Sequence, residues 1–151
     1  MEKSLLVSQL GSLISNDKYE ITSLSNMSAF IFHSLPNVSW AGFYLVKEGK
    51  LILGPFQGKI ACTEIQFGKG VCGTTAIKKE TIVVKDVHKF PGHIACDSAS
   101  NSEIVVPIFK NGELYGVLDL DSTQLERFGD EEKVLLEELV HVLEKKLLGF
   151  K

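Results

Sequence analysis

Three cysteines, Cys62, Cys72 and Cys96, are the residues of this chain best suited to do chemistry. Cys96 lies in a polar stretch of small residues, His93-Ile94-Ala95-Cys96-Asp97-Ser98-Ala99-Ser100. That is a poor place to bury a structural thiol and a good place to expose a reactive one. Cys72 sits in a glycine-rich turn, Gly68-Lys69-Gly70-Val71-Cys72-Gly73, ahead of a helix expected over Thr74–Lys79. A helix N-terminus favours the thiolate, so Cys72 is a second reactive candidate. Cys62, in Ala61-Cys62-Thr63, falls on an expected strand or its edge. The plain alternative for each is a buried, inert thiol. Zinc is the sharper competitor, because His93-x-x-Cys96 offers two ligands. The other spacings, nine residues between Cys62 and Cys72 and 23 between Cys72 and Cys96, form no CxxC pair, so neither metal nor other cofactor is expected. His88 and His93 either tune Cys96 or are ordinary polar loop residues.

Acids and aromatics supply the second constellation. Leu118-Asp119-Leu120-Asp121 alternates, so on a strand both aspartates take one face. Carboxylates two residues apart on a strand lie roughly 6–7 Å from each other. At an effective dielectric of about 20 they repel by about 2 kcal/mol, more than one pKa unit. Either this is a solvated sheet face, or it is a pocket wall that prefers a cation. With Glu103 added, three acids would tend to hold a proton, an ammonium group, or both. Trp40, Gly42 and Tyr44 also share one strand face. Either both rings are core and Gly42 marks a close backbone approach, or Gly42 leaves a slot between them that cages a cation or a polarisable sulfur. Together these residues point to thiol redox chemistry on a small cationic substrate. Gly68-Lys69-Gly70 lacks the length and the Lys-Ser/Thr ending of a phosphate-binding loop.

These side chains need elements to position them. Residues 2–15 have helical spacing, with Leu5, Leu6, Gln9, Leu10 and Leu13 recurring. A second helix is expected from Ser23 or Ser25 to His33, ended by Leu35-Pro36-Asn37. Strands are expected over Val38–Val46 and Leu51–Phe56 around a Glu48-Gly49-Lys50 turn, and over Ile60–Phe67. Thr81–Val84 is a short strand, and Asp86–Asn101 a long loop of the kind that carries function. Ile104–Phe109 and Glu113–Asp121 flank Asn111-Gly112, a strong hairpin signal. Gly129–Leu148 closes the chain as an amphipathic helix with Val134, Leu135, Leu139, Val142, Leu143 and Leu147 as its stripe. The order predicts an α+β domain, an antiparallel sheet with helices packed on it.

Composition narrows the partners. With 151 residues, 44% of them hydrophobic and 23% charged, one domain over residues 1–151 can bury a full core. A net charge of −3 and the lack of a Lys/Arg run argue against nucleic acid. No apolar run suits a membrane span, and the start of the chain does not read as a signal peptide. A cytoplasmic setting is expected, where any disulfide is transient and catalytic.

Several segments resemble one known family. Trp40-Ala41-Gly42-Phe43-Tyr44, Gly54-Pro55-Phe56-Gln57-Gly58, Ala61-Cys62, Gly70-Val71-Cys72-Gly73, Asp86-Val87-His88, Phe90-Pro91-Gly92-His93-Ile94-Ala95-Cys96-Asp97 and Gly116-Val117-Leu118-Asp119-Leu120-Asp121-Ser122 are similar to the free methionine-(R)-sulfoxide reductases, small GAF-domain enzymes. The resemblance implies a six-stranded antiparallel sheet with helices. It implies Cys96 as nucleophile and either Cys62 or Cys72 as the resolving thiol, of which Cys62 is the partner expected here. It implies a pocket formed by Trp40, Tyr44, Glu103, Asp119 and Asp121, with Glu103 or Asp121 as proton donor. Thioredoxin as reductant and frequent homodimers are implied as well. Two other classes compete, a non-enzymatic GAF module that binds a small ligand and a thiol redox sensor. An acidic pocket suits an anionic nucleotide poorly, and a sensor needs neither the aromatic pair nor the acids.

Overall fold

Period-two alternation along the strands splits the molecule into two cores. The computed structural model describes residues 3–93 and 99–150. Its elements are α1 (Lys3–Ile14), α2 (Glu20–Ser34), β1 (Trp40–Lys47), β2 (Lys50–Gln57), β3 (Glu64–Gln66), α3 (Gly70–Lys78), β4 (Ile82–Val84), β5 (Ser102–Lys110), β6 (Glu113–Ser122) and α4 (Asp130–Leu147). The six strands form one antiparallel sheet in the order β3-β2-β1-β6-β5-β4. This is the α+β arrangement expected.

On one face Phe43, Ile104, Val106, Leu118 and Leu120 pack against α1, α2 and α4 through Leu10, Met27, Ile31, Leu139 and Leu143. Side chains of this size contribute about 1.5–3 kcal/mol each when fully buried. On the other face Trp40, Tyr44, Val105 and Val117 form a smaller core with Val71, Cys72 and Ala76 of α3. Both tight hairpins use two consecutive left-handed residues, Glu48-Gly49 (φ 53° and 77°) and Asn111-Gly112 (φ 54° and 79°). That geometry matches the right-handed twist of the flanking strands.

The structure departs from expectation where packing overrides local signals. α2 begins at Glu20 rather than at Ser23 or Ser25. The Glu20 carboxylate accepts from Tyr115 Oη (2.9 Å) and Lys110 Nζ (3.3 Å), which ties the first turn to the β5–β6 hairpin. In α4 the buried stripe is Leu135, Leu136, Leu139, Val140, Leu143 and Leu147, so Leu136 and Val140 take the place of Val134, which is exposed, and Val142, which is half-buried. Likewise Leu6, Leu10 and Ile14 are the buried residues of α1, while Leu5 and Leu13 face outward. Of the strand expected over residues 60–67 only Glu64–Gln66 pairs, with β2. α3 starts at Gly70, which moves Cys72 out of a turn and into a helix. The long loop contains a short 3₁₀ turn, Val87–Lys89, whose His88 amide donates to Asp86.

The slot at Gly42 is closed. A Cβ there would overlap Phe56 Cβ and come within 2.8 Å of Trp40 Cη2. Gly42 marks a close approach of β2 across an irregular register, and Phe56 fills the space. We therefore expect Gly42→Ala to destabilise the fold by about 1–3 kcal/mol, the usual cost of overpacking. Urea unfolding of parent and variant measures this, and an unchanged midpoint would refute the close approach.

Candidate active site

Strand register builds the acidic wall. Asp121 of β6 pairs with Trp40 of β1 on one side and Glu103 of β5 on the other. One row along, Asp119 sits between Gly42 and Val105. Leu118 and Leu120 point into the opposite core. Glu103 and Asp119 are only 6% and 5% exposed, so the solvated-face alternative fails for this pair. Asp121 is half-buried.

The electrostatics of this wall follow from burial. Desolvation pushes the Glu103 carboxyl well above the carboxylate range, and the charges of Asp119 and Asp121 push it further. Asp119 is raised as well, first by burial, but hydrogen bonds with the Glu103 carboxyl and the Cys72 thiol oppose the rise. Both carboxyls are pushed toward the protonated form, Glu103 by burial and by its acidic neighbours together, so the pair resists carrying two charges at once. Asp119 Oδ1 is buried with no hydrogen-bond partner.

Cys72 corrects the expectation of a thiol activated by a helix start. It is 4% exposed, and burial raises its thiol well above the ordinary value before the nearby acids raise it further. These effects outweigh the helix dipole, which is a surface effect of at most ~2 kcal/mol. Cys72 is a free thiol, whereas Cys62 is disulfide-bonded.

The aromatic pair forms a stack in place of a cage. Trp40 lies 5.9 Å from Tyr44 at 22° and 5.1 Å from Phe56 at 16°. Both polar tips are engaged. Trp40 Nε1 donates to the Lys59 carbonyl (3.0 Å), and Tyr44 Oη donates to the Cys62 carbonyl (2.9 Å). With the Leu53 amide donating to the Thr63 carbonyl (3.0 Å), these bonds hold the segment carrying Cys62 against the sheet. Tyr44 thus positions the Cys62 backbone while its ring walls the pocket.

One half-enclosed pocket gathers Trp40, Tyr44, Cys72, Glu103, Asp119 and Asp121. Ala61, next to Cys62, also lines it, as do His93 and Ser100. Cys96 lies outside the described residues, and the chain on either side of it borders the pocket at His93 and Ser100. His93 Nε2 is 3.9 Å from Glu103 Oε1, and burial lowers the imidazole pKa. His88 instead pairs with Asp86 at the surface, 2.9 Å away. Phe56 and Ser100 were not singled out from sequence. The alternation Gly54-Pro55-Phe56 carried a usable signal for Phe56, and nothing local marked Ser100. No helix among the described residues is long and apolar enough to cross a membrane.

The chain is similar to several known proteins. Residues 20–147 match the GAF domain family. The free methionine-R-sulfoxide reductase of Escherichia coli is 49% identical over 135 residues, covering 89% of this chain and 82% of that protein. The structure of fRMsr of Staphylococcus aureus in its reduced form superposes with a TM-score of 0.94 at 51% identity, covering 97% of this chain and 95% of that one. The free methionine-R-sulfoxide reductase of Neisseria meningitidis in complex with its substrate gives 0.92 at 42% identity, covering 95% and 87%.

The buried acids make stability depend on pH. The folded protein keeps the Glu103 proton above the ordinary carboxyl value of 4.5, where an unfolded chain has released it. Its contribution is therefore complete below that value and is lost as pH rises toward the raised folded pKa. Asp119 acts with the same sign. We expect Glu103→Gln to flatten the decline of the urea midpoint as pH rises above the ordinary carboxyl range. Parallel curves for parent and variant would show that Glu103 is ionised throughout.

Proposed function

Since the chain belongs to the GAF-domain family and, within it, to the free methionine-R-sulfoxide reductases, we propose that it reduces free L-methionine-(R)-sulfoxide to methionine, with Cys96 as nucleophile, Cys62 as resolving thiol and thioredoxin as reductant. The observation that carries this reading is a pair of buried carboxyls, Glu103 and Asp119, on the wall of a pocket that Trp40 and Tyr44 also line, where burial favours their protonated form. Such a pocket suits a substrate with an ammonium group at one end and a basic S=O oxygen at the other.

The roles follow from the chemistry of each group. Asp119 and Asp121 receive the substrate ammonium, whose charge offsets the cost of gathering three acids on one wall. Trp40 faces the thioether end. The Cys96 thiolate attacks the sulfoxide sulfur while Glu103 donates its proton to the sulfoxide oxygen. The hydroxyl passes from the substrate sulfur to Cys96 as the bond between the two sulfurs breaks, so methionine leaves, its sulfur reduced by two electrons, and Cys96 is oxidised to the sulfenic acid. The Cys62 thiol then attacks the sulfenic sulfur, forming a disulfide and releasing water. A thioredoxin dithiol restores both thiols by exchange, as a reducing compartment such as the cytoplasm permits. Two observations support Cys62 over Cys72 as the resolver: Cys62 is disulfide-bonded, and Cys72 is buried with its thiol strongly disfavoured as thiolate. Blocking the substrate amine, as in a peptide, would leave buried carboxylates facing an uncharged amide.

Coupled NADPH oxidation with thioredoxin and thioredoxin reductase tests the assignment, using free R- and S-sulfoxides and N-acetyl-methionine sulfoxide. We expect turnover of the free R epimer, little of the others, and none by Cys96→Ser. Equal kcat/KM for free and N-acetylated substrate would refute the ammonium role. Glu103→Gln should lower kcat about 10²–10⁴-fold, as loss of a general acid does, and Asp121→Asn should chiefly raise KM. Stoichiometric substrate should trap sulfenic acid in Cys62→Ser and still produce a disulfide in Cys72→Ser. The reverse pattern would make Cys72 the resolver. Failure of every sulfoxide, with Cys96 still open to peroxide, would favour a thiol sensor.

A further inference from the structure

We propose that Cys72, Glu103 and Asp119 form a binding site for a thiophilic divalent cation of the zinc class, which occupies the pocket reversibly in competition with the substrate. The sequence offered zinc only through His93 and Cys96, whereas the fold gathers a different set that no motif announces. One ligand atom from each of Cys72, Glu103 and Asp119 lies within 4.8 Å of the other two, and all three residues are buried. A thiolate and a carboxylate oxygen on one tetrahedral zinc ion are ~3.6 Å apart, given the usual bond lengths. Closing the set therefore takes about an ångström of carboxylate and thiol movement, and the protons held by the Cys72 thiol and the carboxyls are released to solvent as the ion binds.

A second observation, the hydrogen bonding of Asp119, also points to a ligand. Asp119 Oδ1 is buried with no hydrogen-bond partner, although the residue lines the pocket. An orphaned carboxylate oxygen is costly unless something cationic meets it. His93 Nε2, 3.9 Å from Glu103 Oε1, stands ready as a fourth ligand or as a partner orienting that carboxyl. The mixed sulfur, oxygen and nitrogen set favours zinc or cadmium over magnesium or calcium, which take oxygen ligands alone. The ion would be an inhibitor rather than a cofactor, since it would take Asp119 and Glu103 away from the substrate. Competition rests on the functional reading above, but binding of the ion does not.

The test uses a Cys62→Ser/Cys96→Ser variant, which leaves Cys72 as the one thiol of a three-cysteine chain and removes the proposed nucleophile, so that added sulfoxide is not consumed. Cd²⁺, standing in for Zn²⁺, is titrated while the ultraviolet thiolate-to-cadmium charge-transfer band is recorded. We expect a saturable one-to-one signal that disappears when Cys72→Ser is added. Glu103→Gln and Asp119→Asn should each weaken it at least about tenfold, as even loss of an outer partner does at metal sites. Mg²⁺ should not compete for the ion, whereas free methionine-R-sulfoxide should. Absence of the band, or a band unchanged by both carboxylate variants, overturns the site. Calorimetry with the sulfoxide alone separates the two readings. Substrate binding without a cadmium signal sinks only the metal site, and a cadmium signal without sulfoxide binding sinks the substrate reading instead.

Discussion

Everything in this molecule hangs on the alternation of one central strand, β6. Leu118 and Leu120 enter the large helical core while Asp119 and Asp121 enter the pocket on the opposite face. A slip of one residue would exchange these faces, driving both aspartates among Leu10, Met27 and Leu139 and exposing the leucines. Burying two unpaired carboxylates in an apolar core costs far more than a domain's net stability of about 5–15 kcal/mol allows. The same register brings Trp40 and Glu103 to either side of Asp121. The hydrophobic demand of one face thus positions the chemistry of the other.

That chemistry carries a standing energetic penalty. Glu103 and Asp119 are removed from water with only the His93 imidazole, itself lowered in pKa by burial, near Glu103 at 3.9 Å, and both carboxyls are raised in pKa as a result. A fold built only for stability would place leucine or valine there, as it does at Val105 and Val117 on the same face. The penalty has a use if the pocket must hold a proton at neutral pH and recognise an ammonium group. Each need is met by buried acids, and each fails if they are solvated.

The cysteines divide along the same lines of burial. Cys72 belongs to the smaller core, packed with Val71 and Ala76, where its thiolate is disfavoured from every side. Cys62 lies on a short irregular segment held to the sheet by the Tyr44 hydroxyl and the β2 backbone. A helix start and a glycine-rich turn are equally consistent with an activated or a buried thiol. What separates them is the layer that lies above, and here that layer is the acidic wall.

Local patterns sufficed for much of this fold. The hairpin at Asn111-Gly112, the closing helix, the shared face of Asp119 and Asp121 and the antiparallel α+β class are all readable from period and turn chemistry, because those signals depend on neighbours a few residues away. The motifs of the GAF-domain reductases were readable for the same reason. Tertiary structure decided what lies between distant segments. Phe56 fills the space at Gly42, Glu103 joins Asp121 across β5 and β6, and Cys72 is sealed rather than activated. α2 starts at Glu20 because Tyr115 and Lys110, some ninety positions away, hold it there. The sequence by itself determined which side chains share a face. Only the packed sheet decided which of those faces meet and how much water they keep, because desolvation depends on atoms from every element that closes over a group.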